Sequence, residues 1–182
     1  MRNMTKKESK APARFTLPGL TAKAGRAVVG ILQQRLTAYT DLHLTLKHVH
    51  WNVVGPNFIG VHEMIDPQVV LVRGYADETA ERIAALGGSP DGTAAALADS
   101  KSTQSYPLKR ANAQAHLDAL DTVYSAVIRD NRDAIAKLDE LDLVTQDMVI
   151  GHTAELEQFQ WFIRAHLENS AGQLEPAKSK VT

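Results

Sequence analysis

A chain of 182 residues, 44% of them hydrophobic, is long enough for one compact domain with a real core. The absence of cysteine excludes disulfides, thiolate metal sites and cysteine nucleophiles, and no run approaches the roughly 18 apolar residues of a membrane span. The net charge of −1 is divided unevenly: Arg2, Lys6, Lys7, Lys10 and Arg14 against Glu8 make residues 1–14 +4, Lys178 and Lys180 against Glu175 make residues 170–182 +1, and the body between carries −6.

An acidic body with a basic arm suits cation handling together with attraction to a polyanion, and a merely solubilising arm is the plain alternative. Residues 1–19 lack periodicity and contain Pro12, Pro18 and Gly19, so they read as a flexible arm. The polar start, Met1–Lys10, is unlike a secretory signal, and a cytoplasmic protein is expected.

A helical pattern begins at Thr21. Val28, Leu32, Leu36, Tyr39, Leu46 and Val49 recur at steps of three and four to about Trp51, and Gly55 and Pro56 break it. Asn57 is positioned to cap a second helix with Val61, Ile65, Val72 and Ile83 on its apolar face; Pro67 should bend it, and Gly87, Gly88 and Pro90 end it. Residues 87–110 form a long connection with room for a short helix at Ala94–Ala98. A third helix is expected from Ala111 to about Leu138 and a fourth, capped by Asp142, to about Glu168. No useful stretch alternates with a strand period. The expected fold is all-α: a ferritin-like four-helix bundle over residues 20–169, with one long crossover carrying a short helix, followed by a short tail at 170–182. Cytokine-type bundles also use long crossovers, so the pattern alone leaves both open.

The first two helices hold His50, His62, Asp66, Asp77 and Glu81, imidazoles and carboxylates of the kind that bind ferrous iron, zinc or manganese. Singly, each is an ordinary core or surface residue. As a set they have a register: His62 and Asp66 are four apart, as are Asp77 and Glu81, and Asp66 and Asp77 differ by about three turns, so all four line one stripe. His62 and Asp77 are nonetheless about 22 Å apart along the axis, too far for one metal. Two copies of the helix, antiparallel about a two-fold axis near residues 71–72, would set His62 and Asp66 of one opposite Asp77 and Glu81 of the other, with His50 beside them, and would make two identical sites. No Glu lies three residues before any histidine, so the Glu-x-x-His di-iron site of a bundle interior is not expected.

The stretch His50-Trp51-Asn52-Val53-Val54-Gly55-Pro56-Asn57-Phe58-Ile59-Gly60-Val61-His62-Glu63-Met64-Ile65-Asp66, the segment Asp77-Glu78-Thr79-Ala80-Glu81-Arg82 and the tract Phe159-Gln160-Trp161-Phe162-Ile163-Arg164 together resemble the Dps family of mini-ferritins (DNA-binding protein from starved cells), in particular its actinobacterial branch. The similarity covers about residues 20–170. The resemblance implies a homo-dodecamer with ferroxidase centres at dimer interfaces, in which His50, His62, Asp66, Asp77 and Glu81 bind iron and Trp51 sits alongside. It implies oxidation of ferrous iron with hydrogen peroxide or oxygen, ferric mineral held in a central cavity, and protection of DNA in the nucleoid. It also implies acidic three-fold pores, for which Asp142 and Asp147 are the candidates; helix capping is their alternative role. Lys6, Lys7, Lys10 and Arg14 are the candidate DNA contacts, non-specific and salt-sensitive. Two other readings remain at this point: a structural nucleoid-compacting protein with little iron oxidation, and a helical oligomer whose histidines only pack.

Overall fold

The computed structural model describes residues 17–100 and 106–168. Lys6, Lys7, Lys10, Arg14 and the 170–182 tail lie outside the described residues. Four long helices form two hairpins: α1 (Ala22–Asn52) with α2 (Phe58–Ala85), and α4 (Ala113–Leu138) with α5 (Leu143–Leu167). The crossover between α2 and α4 carries a short helix, α3 (Ala94–Asp99). This is the all-α architecture expected from the periodicity.

Local chemistry explains most of the boundaries. The Thr21 and Thr93 hydroxyls cap α1 and α3 by accepting from Ala24 and Ala96 backbone N–H groups. At the end of α2, Gly87 takes φ 77°, its N–H donates to Ala84 O, and Gly88 N–H donates to Ile83 O. That is the paired bonding of a Schellman motif. A Cβ on Gly88 would stand 2.9 Å from Ile83 Cγ2 and 3.0 Å from Val29, so close packing demands glycine there as well.

Two details differ from expectation. Asn57 precedes α2 but its side chain makes no capping bond; the turn is closed by Phe58 N–H donating to Gly55 O at 3.1 Å. The third long helix starts at Ala113, because Ala111–Asn112 (β2) pairs in parallel with Val53–Val54 (β1), Val53 opposite Ala111. Two-residue strands leave no alternating pattern to detect. The Asn112 side chain then caps α4 by accepting from Ala115 N–H at 2.9 Å. α2, for its part, continues through Pro67 to Ala85.

The core has two apolar ends and a polar waist. At one end, Val28, Leu32 and Leu36 of α1 meet Ile83, Leu86, Leu138 and Val149; at the other, Leu42, Leu46 and Val49 meet Val61, Ile65, Leu117, Leu120 and Ile163. Between them Arg35, only 4% exposed, donates through Nη1 to Asn131 Oδ1 at 3.0 Å, and Asn131 Nδ2 donates to Thr153 Oγ1 at 3.1 Å. Tyr124 donates to Gln68 Oε1 at 2.6 Å. Such a waist fixes the register of α1, α4 and α5, because any slip strands buried polar groups.

Asn131→Ala should therefore destabilise the protein by about 1.5–3 kcal/mol, the range for a hydrogen bond to a charged group, read as a lower urea midpoint. Burial also holds His116 and His152 below the ordinary histidine value. The folded state then binds fewer protons than the unfolded chain, so stability is full above about pH 6.5 and is lost as pH falls through that value. The unfolding temperature should drop between about pH 7 and pH 5, and His152→Phe should flatten part of that slope.

Candidate metal centre

The corner between α1 and α2 brings three of the five expected residues together. His50 lies in the last turn of α1, His62 and Asp66 in the first turns of α2, and the link between the helices turns back sharply at Gly55, whose φ is 103°. The two imidazoles stack, with centroids 3.6 Å apart and planes 23° from parallel. His50 Nδ1 is 3.1 Å from His62 O, and His62 Nδ1 is 2.9 Å from His50 O. A carbonyl oxygen only accepts, so both Nδ1 atoms carry the proton. In each neutral ring the lone pair is left on Nε2, the tautomer a metal ligand requires. Neither Nε2 has a hydrogen-bond partner among the described residues.

Asp66 stands beside them, its Oδ1 3.2 Å from His50 Nδ1 and 3.2 Å from Lys47 Nζ, with the carboxylate 53% exposed. Lys47 is a member of the corner that the ligand pattern did not single out. Its signal was its place three residues before His50, one turn earlier on the same face. Its ammonium also lies 5.8 Å from the centroid of the Trp51 ring. Trp51 is 71% exposed, so it does not pack into the core of its own chain.

Asp77 and Glu81 are exposed farther along α2, with no hydrogen bond or ion pair to another described residue. Eleven residues separate Asp66 from Asp77, about 16 Å of helix. Among the described residues of one chain, no group of three or more His, Asp or Glu side chains closes on a point to hold a metal ion. The corner brings His50, His62 and Asp66 together, and the Asp77–Glu81 pair stands apart from it.

At the start of α5, Asp142 is held inside the chain: Arg82 Nη2 donates to its Oδ2 at 2.6 Å and Thr145 Oγ1 at 2.5 Å. Burial works to raise this carboxyl, but the Thr145 and Arg82 hydrogen bonds outweigh it and hold the group below the usual carboxylate range. Asp147 is exposed. Of the remaining histidines, His48 Nε2 donates to Leu108 O at 2.8 Å. His116 bonds Tyr106 through Nδ1 at 2.9 Å, and His152 Nε2 lies 2.8 Å from Glu78 Oε2. His43 is partly buried and His166 is exposed.

This bundle is that of a ferritin-like domain, whose family model matches residues 29–171. The DNA protection during starvation protein of Mycolicibacterium smegmatis is 63% identical over 160 residues, covering 88% of this chain and 87% of that protein. The solved tetragonal form of Mycobacterium smegmatis Dps aligns with a TM-score of 0.86 at 63% identity, covering 88% of this chain and 98% of that one. DpsA14 from Streptomyces coelicolor aligns with a TM-score of 0.85 at 53% identity, covering 91% and 98%. Within the ferritin-like class, the chain belongs to the Dps family.

A divalent cation bound at this corner would compete with the Lys47 ammonium for Asp66 Oδ1. Lys47→Gln should tighten divalent-cation binding about two- to five-fold, the span of an exposed ion pair worth up to ~1 kcal/mol. Anaerobic calorimetric titration with ferrous ion checks this; an unaltered affinity would mean that the ammonium does not compete.

Proposed function

We propose that this protein oxidises ferrous iron at centres shared between two subunits and stores the ferric product in the cavity of a homo-dodecamer, protecting DNA from iron and peroxide. The observation that carries this reading is a split set of side chains: a corner with a carboxylate and two Nε2 atoms that have no hydrogen-bond partner among the described residues, and a second carboxylate pair about 16 Å along the same helix. Each half is incomplete alone, and a two-fold axis near residues 71–72 completes both at once. The surface around them is suited to association. Trp51, Phe58, Ile59 and Val70 are all exposed, and Val70 lies near the proposed axis at 71% exposure.

In this reading His50 and His62 offer Nε2 and Asp66 offers a carboxylate oxygen, while Asp77 and Glu81 of the partner subunit close the sphere. Mixed nitrogen and oxygen donors suit ferrous iron while leaving ferric iron free to move on to mineral. Hydrogen peroxide or oxygen is the electron acceptor. Two ferrous ions reduce one peroxide to two hydroxide ions, which releases no hydroxyl radical. Iron would enter past Asp147, which has no partner among the described residues, more readily than past Asp142, which is engaged with Arg82. Lys6, Lys7, Lys10 and Arg14 would attract DNA phosphates weakly per arm, with avidity from many arms on one shell. A cytoplasmic, nucleoid-associated location follows from that role. No helix among the described residues is long and apolar enough to cross a membrane.

Complementation separates a shared site from a private one. His62→Ala and Glu81→Ala should each lower ferrous oxidation by at least 10–100-fold, on the scale of disrupting a metal's supporting shell. Subunits of the two variants, mixed and reassembled, should regain about a quarter of the centres, because each mixed dimer holds one intact site. No recovery on mixing would reject the shared centre. For the arm, removal of residues 1–14 should abolish a DNA gel shift at low salt, and high salt should abolish it in the full chain; a shift that survives truncation would remove the arm from the account.

A further inference from the structure

The waist of the bundle contains an aromatic cluster that the iron ligands do not use. Tyr75 of α2 is 4% exposed, and its hydroxyl donates to Glu155 Oε2 of α5. Its ring stacks on the buried His152 of α5, centroids 4.3 Å apart and planes 25° from parallel. Tyr39 of α1 stands edge-on to both, 5.7 Å from Tyr75 and 5.5 Å from His152. His152 Nε2 in turn meets Glu78 Oε2 at 2.8 Å. Packing alone does not account for the chemistry chosen. The Tyr39 hydroxyl is buried beside Arg35 and Asn131 with no well-formed hydrogen bond among the described residues, and the Tyr75 hydroxyl reaches a carboxylate that is exposed to solvent.

We propose that Tyr75, with Glu155 as its proton acceptor, is a one-electron relay that completes the reduction of hydrogen peroxide when a centre holds a single ferrous ion. The proposal rests on the iron-oxidation reading above. A buried phenol already bonded to a carboxylate can give up an electron while its proton crosses to Glu155 along the existing hydrogen bond, so no charge is left in the core. The stacked imidazole and the second phenol lie in van der Waals range of the resulting radical. Asp77 follows Tyr75 by two residues and lies on the opposite, exposed side of the helix, so the electron crosses the width of α2, on the order of 10 Å.

The balance closes. Peroxide takes one electron from the ferrous ion and one from Tyr75, its O–O bond breaks, and two hydroxide ions form; the products are ferric iron, a neutral tyrosyl radical and protonated Glu155. A second ferrous ion arriving later returns the electron, Glu155 returns the proton, and the phenol is restored. Without the relay, one ferrous ion and one peroxide yield hydroxide and a free hydroxyl radical.

The test uses the assembled full-length protein, loaded anaerobically with ferrous iron below one ion per centre, mixed with hydrogen peroxide and freeze-quenched for electron paramagnetic resonance. A tyrosyl radical is expected. Most of it should be lost in Tyr75→Phe and in Glu155→Gln but kept in Tyr124→Phe, and spin-trapped hydroxyl radical should rise several-fold in Tyr75→Phe. Circular dichroism and assembled mass show whether each variant folds. A second arm uses no iron: azide radicals from pulse radiolysis oxidise exposed tryptophan, and the hole should migrate to Tyr75 in the native protein and remain on tryptophan in Tyr75→Phe. A radical that persists in Tyr75→Phe, or none in the native protein while ferric iron forms, overturns the relay and leaves the ferroxidase reading standing. If ferric iron does not form at the centres, that reading falls, and the radiolysis arm alone decides whether Tyr75 is the electron donor of the core.

Discussion

The structure depends on a clasp at one corner. The carbonyl of His50 belongs to the last turn of α1, where the helix leaves its final acceptors without internal donors. The His62 ring supplies one, at 2.9 Å, and the His50 ring returns the favour to His62 O. One exchange therefore satisfies a helix end, sets the turn between α1 and α2, and dictates which nitrogen of each ring is basic. Structure and chemistry are decided by the same two hydrogen bonds. The rigidity of α2 does the rest, since an unbroken helix keeps the corner and the Asp77–Glu81 pair at a fixed spacing.

The interior of the bundle explains why the proposed centre lies outside it. The waist that would hold a di-iron cluster is filled by Arg35, Asn131, Thr153, Gln68 and Tyr124, bonded to one another. A buried arginine at that level repels cations. The proposed centre therefore lies at a surface, where a neighbouring subunit would have to complete its ligand set.

Much of this was legible in the sequence, and for stated reasons. Helix ends were readable because glycine and hydroxyl caps act locally: Thr21, Thr93 and Gly87 mark boundaries through bonds to residues three or four positions away. The placing of His62, Asp66, Asp77 and Glu81 on one helix was readable because helical phase is a matter of counting. What escaped involved distant partners. The pairing of Val53 with Ala111 spans the whole crossover and rests on two residues with no pattern. Lys47 was passed over because its importance comes from Asp66, nineteen positions away. Asp142 read as a helix cap or pore residue, and its ion pair with Arg82, on another helix, left no local signal. The cluster of Tyr39, Tyr75 and His152 draws on three helices, and periodicity registers such residues only as core.

The small parallel pairing of β1 with β2 has a kinetic consequence. The two helical hairpins are built from contacts close in sequence and form early and independently. β1 and β2 close a loop that contains all of α2 and the crossover, and that closure gains only two residues of ladder. Because β1 begins at the residue after α1 ends, that short ladder ties the crossover to the chain beside the histidine corner, and its opening would free that end of α1.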